Sequence, residues 1–181
     1  MTLLVLGLLL WWGAHVFKRV APQRRAAMGD AGKGVVAIVS LAAIVLMVFG
    51  YRAAEPTPLW YLGWAVHLNN LLMVIAIVLL GVGNSKSRLR GKMRHPMLTG
   101  AIVWAVAHLL VNGDVPSLVL FGGLGLWAIT SMILINRAEP APQPYNEGSV
   151  QGDVRLFVIS AVVFVVIVLV HGWLGPSPFP V

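Results

Sequence analysis

The sequence predicts an all-α polytopic membrane bundle of about six transmembrane helices, with both termini on the outer face; three observations carry this. The 181 residues are 59% hydrophobic and only 10% charged, whereas a soluble domain is nearer half apolar and a quarter charged. The apolar residues fall in stretches close to the ~20 that cross ~30 Å of hydrocarbon. The basic residues occupy alternate connections, as a membrane topology requires.

The first stretch, 2–19, has no positive residue ahead of it, and Lys18, Arg19, Arg24 and Arg25 follow its apolar run MTLLVLGLLLWWGAH. That order predicts a retained anchor and not a cleaved signal peptide. The second runs 35–53 and the third 60–82. The fourth, 96–112, is the shortest; Pro96 suits a first helical turn, where a missing N–H is no loss. The fifth, 116–135, opens with Pro116 and Ser117 after the tight link Asn112-Gly113-Asp114. Within it, Phe121-Gly122-Gly123-Leu124-Gly125 predicts close helix packing; with no Lys following and no strand preceding, it is not a phosphate loop. Residues 136–153, NRAEPAPQPYNEGSVQGD, are polar and proline-rich, and the sixth stretch runs 154–174. The expected organisation is a five-helix core over 1–137, a flexible cytoplasmic linker over 138–153, and an added transmembrane helix within 154–181.

Of the 13 Lys and Arg residues, all but Arg52 fall in the connections after the first, third and fifth stretches or at the stretch ends that border them. By the positive-inside rule those connections are cytoplasmic and both termini lie outside. Topology thus explains the net charge of +7, and nucleic-acid binding is not expected because no folded basic domain exists to carry it. The absence of cysteine excludes disulfides, thiolate nucleophiles, Cys-rich metal sites and covalent c-type haem attachment. The expected partner on composition is the lipid bilayer.

The chemistry-bearing residues are the histidines His15, His67, His95, His108 and His171. Polar groups at membrane depth are costly without a partner. His67 is expected ~10 Å inside one end of the third span, and His108 ~6–9 Å below the same face. His171 falls at similar depth, but without a polar neighbour one turn away it reads as a neutral imidazole held by local bonding. His95, beside Arg94 and Pro96, reads as interfacial. On the fourth helix Trp104 and Asn112 lie one turn either side of His108 and share its face. Its ligand partners must come from other helices; by depth the candidate is His67, with Asn70 nearby. His15 sits toward the basic side. Together His108, His15 and His67 are the candidate metal ligands, and with Asn112, Asn70 and Trp104 they make the candidate cofactor site.

A zinc enzyme wants three ligands and a nearby carboxylate base, and no Asp or Glu lies inside any span. Haem b asks only for neutral imidazoles, an apolar slot and donors for its propionates. Trp11, Trp12, Trp60, Trp64 and Trp104 are suited to line such a slot, or to form the interfacial aromatic belt.

Arg94-His95-Pro96-Met97-Leu98, the run Trp104-Ala105-Val106-Ala107-His108-Leu109-Leu110-Val111-Asn112-Gly113-Asp114, and the following Leu118-Val119-Leu120-Phe121-Gly122-Gly123 resemble the NnrU family of bacterial membrane proteins. GAHVFKR at the end of the first span, the GYRAAEPTPLW link and the HLNNLLM of the third fit the same pattern, so the resemblance covers nearly residues 1 to 137. It implies an accessory role in denitrification, linked to nitrite and nitric oxide reduction and their reductases, in the bacterial inner membrane. The family is similar to the plant 15-cis-zeta-carotene isomerase, a membrane haem b protein. There, histidines matching His15 and His108 are implicated as haem ligands, and R-H-P and W-C-L-A-H elements match Arg94-His95-Pro96 and Trp104 to His108. The cysteine of that last element is Ala105 here, which puts an identical isomerisation mechanism in doubt. Depth therefore favours His67 as partner of His108, the resemblance favours His15, and both stand. The expected function is an accessory membrane protein that binds haem b. The alternative is a haem-dependent isomerase or oxidoreductase acting on a carotenoid or other lipid-soluble substrate. A small transporter ranks last, because the spans lack the broken helices and midplane polar sites that transporters use.

Overall fold

The computed structural model describes residues 1–141, 145–175 and 177–179. Among them all regular secondary structure is helical and no strand is present. The helices are α1 (Thr2–Val20), the short α2 (Pro22–Ala27), α3 (Ala31–Arg52), α4 (Ala65–Val82), α5 (Pro96–Val111), α6 (Val115–Ala138) and α7 (Val150–Leu174). A 3-10 turn, Arg88–Lys92, lies between α4 and α5. Five of these helices, α1, α3, α4, α6 and α7, are long and apolar enough to cross a membrane. At 16 residues, α5 spans only ~24 Å. The chain is a multi-pass membrane protein, and the many exposed apolar side chains of α7, among them Val158, Val162, Val166 and Leu169, are lipid-facing surface.

The chain divides into two compact units, the first made of Met1–Tyr61 and Asn112–Pro140, the second of Leu62–Val111 and Ala141–Val181.

In the first unit α1 packs along α3 because glycine lets their backbones approach. A Cβ on Gly7 would stand 2.8 Å from Ala43 O and from Met47 N, and one on Gly50 would collide with the backbone of Leu4. Around this seam Leu4, Leu8, Ala43 and Met47 form a buried core, joined by Val119, Leu120 and Leu124 of α6. The glycine run of α6 does what its composition predicts: Gly123 lies against Leu8, and its carbonyl accepts the Trp12 indole N–H at 3.1 Å. Residues Leu118–Gly122 of α6 form a π turn, and Phe121 within it meets the Tyr51 ring edge-on at 6.2 Å.

The segment after α3 is stapled to the start of α6. Leu59 N and Trp60 N donate to Gly113 O at 2.7 and 3.1 Å, and Val115 N donates to Thr57 O at 2.9 Å. Gly113 is pressed against the Trp60 carbonyl, leaving no room for a Cβ. Asp114 caps α6 by accepting from Ser117 N at 2.8 Å, as a short acceptor at the N-cap should, and Ser117 Oγ bonds to the Tyr51 hydroxyl at 2.8 Å. The polar NGD of the sequence is therefore a cap and a tight turn.

In the second unit α4 packs on α5 at Gly100, whose Cβ would stand 3.0 Å from Ala76 O and 3.1 Å from Leu80 N. On another side α4 meets α7, with Gly81 facing Leu156 and Ser160. The start of α7 is docked by Asp153, which accepts from Ser87 Oγ at 2.6 Å, Arg88 N at 2.9 Å and Arg88 Nε at 2.5 Å. Ser149 caps the helix through Gly152 N, and its own N–H donates to Lys86 O. This cap starts α7 at Val150, earlier than the apolar run at 154. Of the expected linker, residues 142–144 lie outside the described residues; Tyr145 carries the Arg90 guanidinium over its ring at 4.6 Å.

Candidate functional site

Each unit carries one histidine held in the same way. In the first unit His15 is four residues after Trp11 on α1, and its Nδ1 lies 2.8 Å from the Trp11 carbonyl. A carbonyl only accepts, so Nδ1 carries the proton and, in the neutral ring, Nε2 carries the lone pair. The imidazole stacks on the Trp11 indole at 4.0 Å and meets the Trp127 ring edge-on at 5.1 Å. Trp11 and Trp127 also meet edge-on, at 5.3 Å. Their Nε1 atoms are both buried without a hydrogen-bond acceptor. Arg19, one turn further along α1, pairs with Glu139 at 2.6 Å.

In the second unit His108 is four residues after Trp104 on α5. Its Nδ1 lies 3.0 Å from the Trp104 carbonyl, and the rings are 4.9 Å apart. The same argument puts the proton on Nδ1 and the lone pair on Nε2. A Trp-x-x-x-His segment on a helix thus fixes ring position and tautomer together. This is the arrangement that metal-ligating histidines usually receive from a backbone carbonyl behind them. The donor set fits haem iron, which takes neutral imidazole nitrogens.

The remaining candidates lie as follows. The third apolar stretch begins at Trp60, but α4 begins only at Ala65, because Trp60 is bonded to Gly113 as part of the staple. His67 consequently sits in the first turn of α4, exposed, and not ~10 Å inside a span. It is nine residues from Ala76, half a turn round from the residue that meets α5. Asn70 donates to Pro178 O at 3.0 Å and accepts from Asn69 Nδ2 at 2.9 Å. Asn112 directly follows α5, whose last residue is Val111. His95 stands immediately before α5, its carbonyl accepting from Thr99 N and Oγ1 at 2.9 Å. Among the described residues no three His, Asp or Glu side chains group as metal ligands do.

Two members of these settings were missed from the sequence. Trp127 lies one turn beyond Gly123 and therefore shares the α6 face that meets α1, a signal legible once Gly123 is taken as a contact point. His171, read as locally bonded, is close enough to His108 to interact with it electrostatically; their matching depths were the available clue.

No curated protein and no solved structure matches the chain. The family model described as NnrU protein matches residues 3–178, beyond the region that carried the resemblance and through all of α7. On that coverage, the chain belongs to the NnrU family.

Proposed function

We propose that this NnrU-family protein binds haem b in the bacterial cytoplasmic membrane and serves nitrite or nitric oxide metabolism as an accessory to the reductases. The observation that carries the cofactor reading is the repeated Trp-x-x-x-His device, which presents Nε2 as the lone-pair nitrogen at His15 and at His108. Haem b supplies a redox-active iron held without covalent attachment, as a chain lacking cysteine requires. The Trp11 and Trp104 carbonyls hold each Nδ1 proton, orient the ring and raise the basicity of Nε2. The indoles beside each ring exclude water. Family membership supports the denitrification role. The distribution of Lys and Arg supports an orientation with the basic connections in the cytoplasm and both termini outside.

The test is the absorption spectrum of protein purified in mild detergent from haem-replete cells. The expected result is a haem b spectrum that is weakened or shifted in spin state by His15→Ala or by His108→Ala. A colourless preparation, or a spectrum that neither substitution alters, overturns the cofactor reading. For the physiological role, a deletion strain is expected to consume nitrite more slowly under anaerobic growth, and unchanged consumption overturns it.

A further inference from the structure

A haem b ligated by the chain brings two propionate carboxylates that need cations, and the two histidine settings differ in what they offer. The helix that carries His108, α5, contains no Lys or Arg. On α1, Arg19 follows His15 by four residues, ~6 Å along the axis and about 40° round it, and so shares its face. Both side chains are turned to α6, His15 meeting Trp127 and Arg19 meeting Glu139 just past the helix end.

The Arg19 side chain is only 20% exposed, whereas that of Glu139, which it meets through Nη1 at 2.6 Å, is 47% exposed. An ion pair with one half-solvated partner adds little to stability, so Glu139 can turn into solvent at small cost while Arg19 stays where it is. The surroundings are also short of anions. Residues 2–29 and 115–139 hold Lys18, Arg19, Arg24, Arg25 and Arg137, but Glu139 is their single carboxylate. A guanidinium matches a carboxylate with two parallel N–H···O bonds. A carboxylate carried in on an apolar macrocycle is better shielded from water than Glu139, and there the charge-assisted bond is stronger.

We infer that, granted haem ligation by His15 as proposed above, Arg19 anchors a haem propionate, exchanging Glu139 for it when the cofactor binds. Glu139 then acts as a stand-in, holding the guanidinium beside His15 until the propionate arrives. A pair that only ties α1 to α6 loses the same contact whichever partner is removed. An Arg19 that passes to a propionate makes the two variants differ in sign: Arg19→Gln deletes the anchor, and Glu139→Gln deletes its competitor.

The experiment is a titration of the haem-free full-length protein in detergent with haemin, followed by absorption, beside one with haemin dimethyl ester. Haemin affinity is expected to fall at least tenfold in Arg19→Gln and to rise at least twofold in Glu139→Gln. The ester, which offers no carboxylate, is expected to bind wild type and Arg19→Gln alike, which also shows that the variant is folded. Equal haemin affinity in wild type and Arg19→Gln overturns the inference, as does no gain in Glu139→Gln, or an Arg19→Gln loss that is as large with the ester. Haemin bound equally by wild type and Arg19→Gln leaves the haem reading standing, whereas haemin bound by none of the proteins overturns both.

Discussion

The seam between α1 and α3 gives the sharpest test of the fold. Gly7→Ala places a methyl carbon 2.8 Å from Ala43 O and from Met47 N, where ordinary contact lies near ~3.5–4.0 Å. Two of the atoms in the way belong to the backbone, so no rotamer change relieves the clash and the helices must separate by about 1 Å. A gap of that size forfeits roughly a quarter to a half of each dispersion contact, and such overpacking costs about 1–3 kcal/mol. Alanine recovers about 1 kcal/mol through its better helix propensity. The net expectation is a loss of up to about 2 kcal/mol, up to a roughly thirty-fold change in the folded-to-unfolded ratio. Gly50→Ala is expected to lose at least as much, because its methyl would meet the Leu4 backbone. Gly34→Ala, in α3 with open space around it, serves as the control and is expected to be neutral or stabilising. Thermal unfolding of the three variants in one detergent reads the difference. Gly7→Ala and Gly50→Ala as stable as Gly34→Ala would refute the close-approach argument.

Asp114→Ala removes the N-cap of α6 and is expected to cost about 0.5–2 kcal/mol, read by the same thermal assay, with Asp114→Asn largely restoring it. Asp153→Ala takes the acceptor from Ser87 and Arg88 and is expected to loosen the start of α7, seen as faster hydrogen exchange over 145–153 while α4 stays protected. Trp127→Leu opens the edge of the His15 setting and is expected to shift the haem spectrum, whereas Trp64→Leu, at a position 65% exposed, is expected to leave it unchanged.

How much of this was legible in the sequence depends on whether the signal was local. Pro96 marked the start of α5, and Asn112-Gly113-Asp114 marked the turn into α6, because helix starts are specified by adjacent residues. The Trp104–His108 relation was equally legible, being one helical turn. His67 was misplaced because hydropathy reports composition and not backbone path. Residues 60–64 are apolar, yet Trp60 is tied into the staple and the helix waits until Ala65. Asn112, expected inside the fourth span, is the first residue after α5. The contacts at Gly81 and Gly100 that pack α7 and α5 on α4 join separate helices and leave no periodic trace. The Trp11–Trp127 contact is of that kind too, although the repeated Trp-x-x-x-His spacing itself stands in the sequence.

Haem ligation by His15 and His108 depends on both imidazoles being fixed as Nδ1–H tautomers by the carbonyl one turn behind them. Nitrogen-15 NMR of ring-labelled histidine in haem-free protein measures this directly. The expected result is that His15 and His108, assigned by single substitutions, show a protonated Nδ1 and a lone-pair Nε2. Signals from both residues showing the proton on Nε2, or rapid exchange between tautomers, would contradict it.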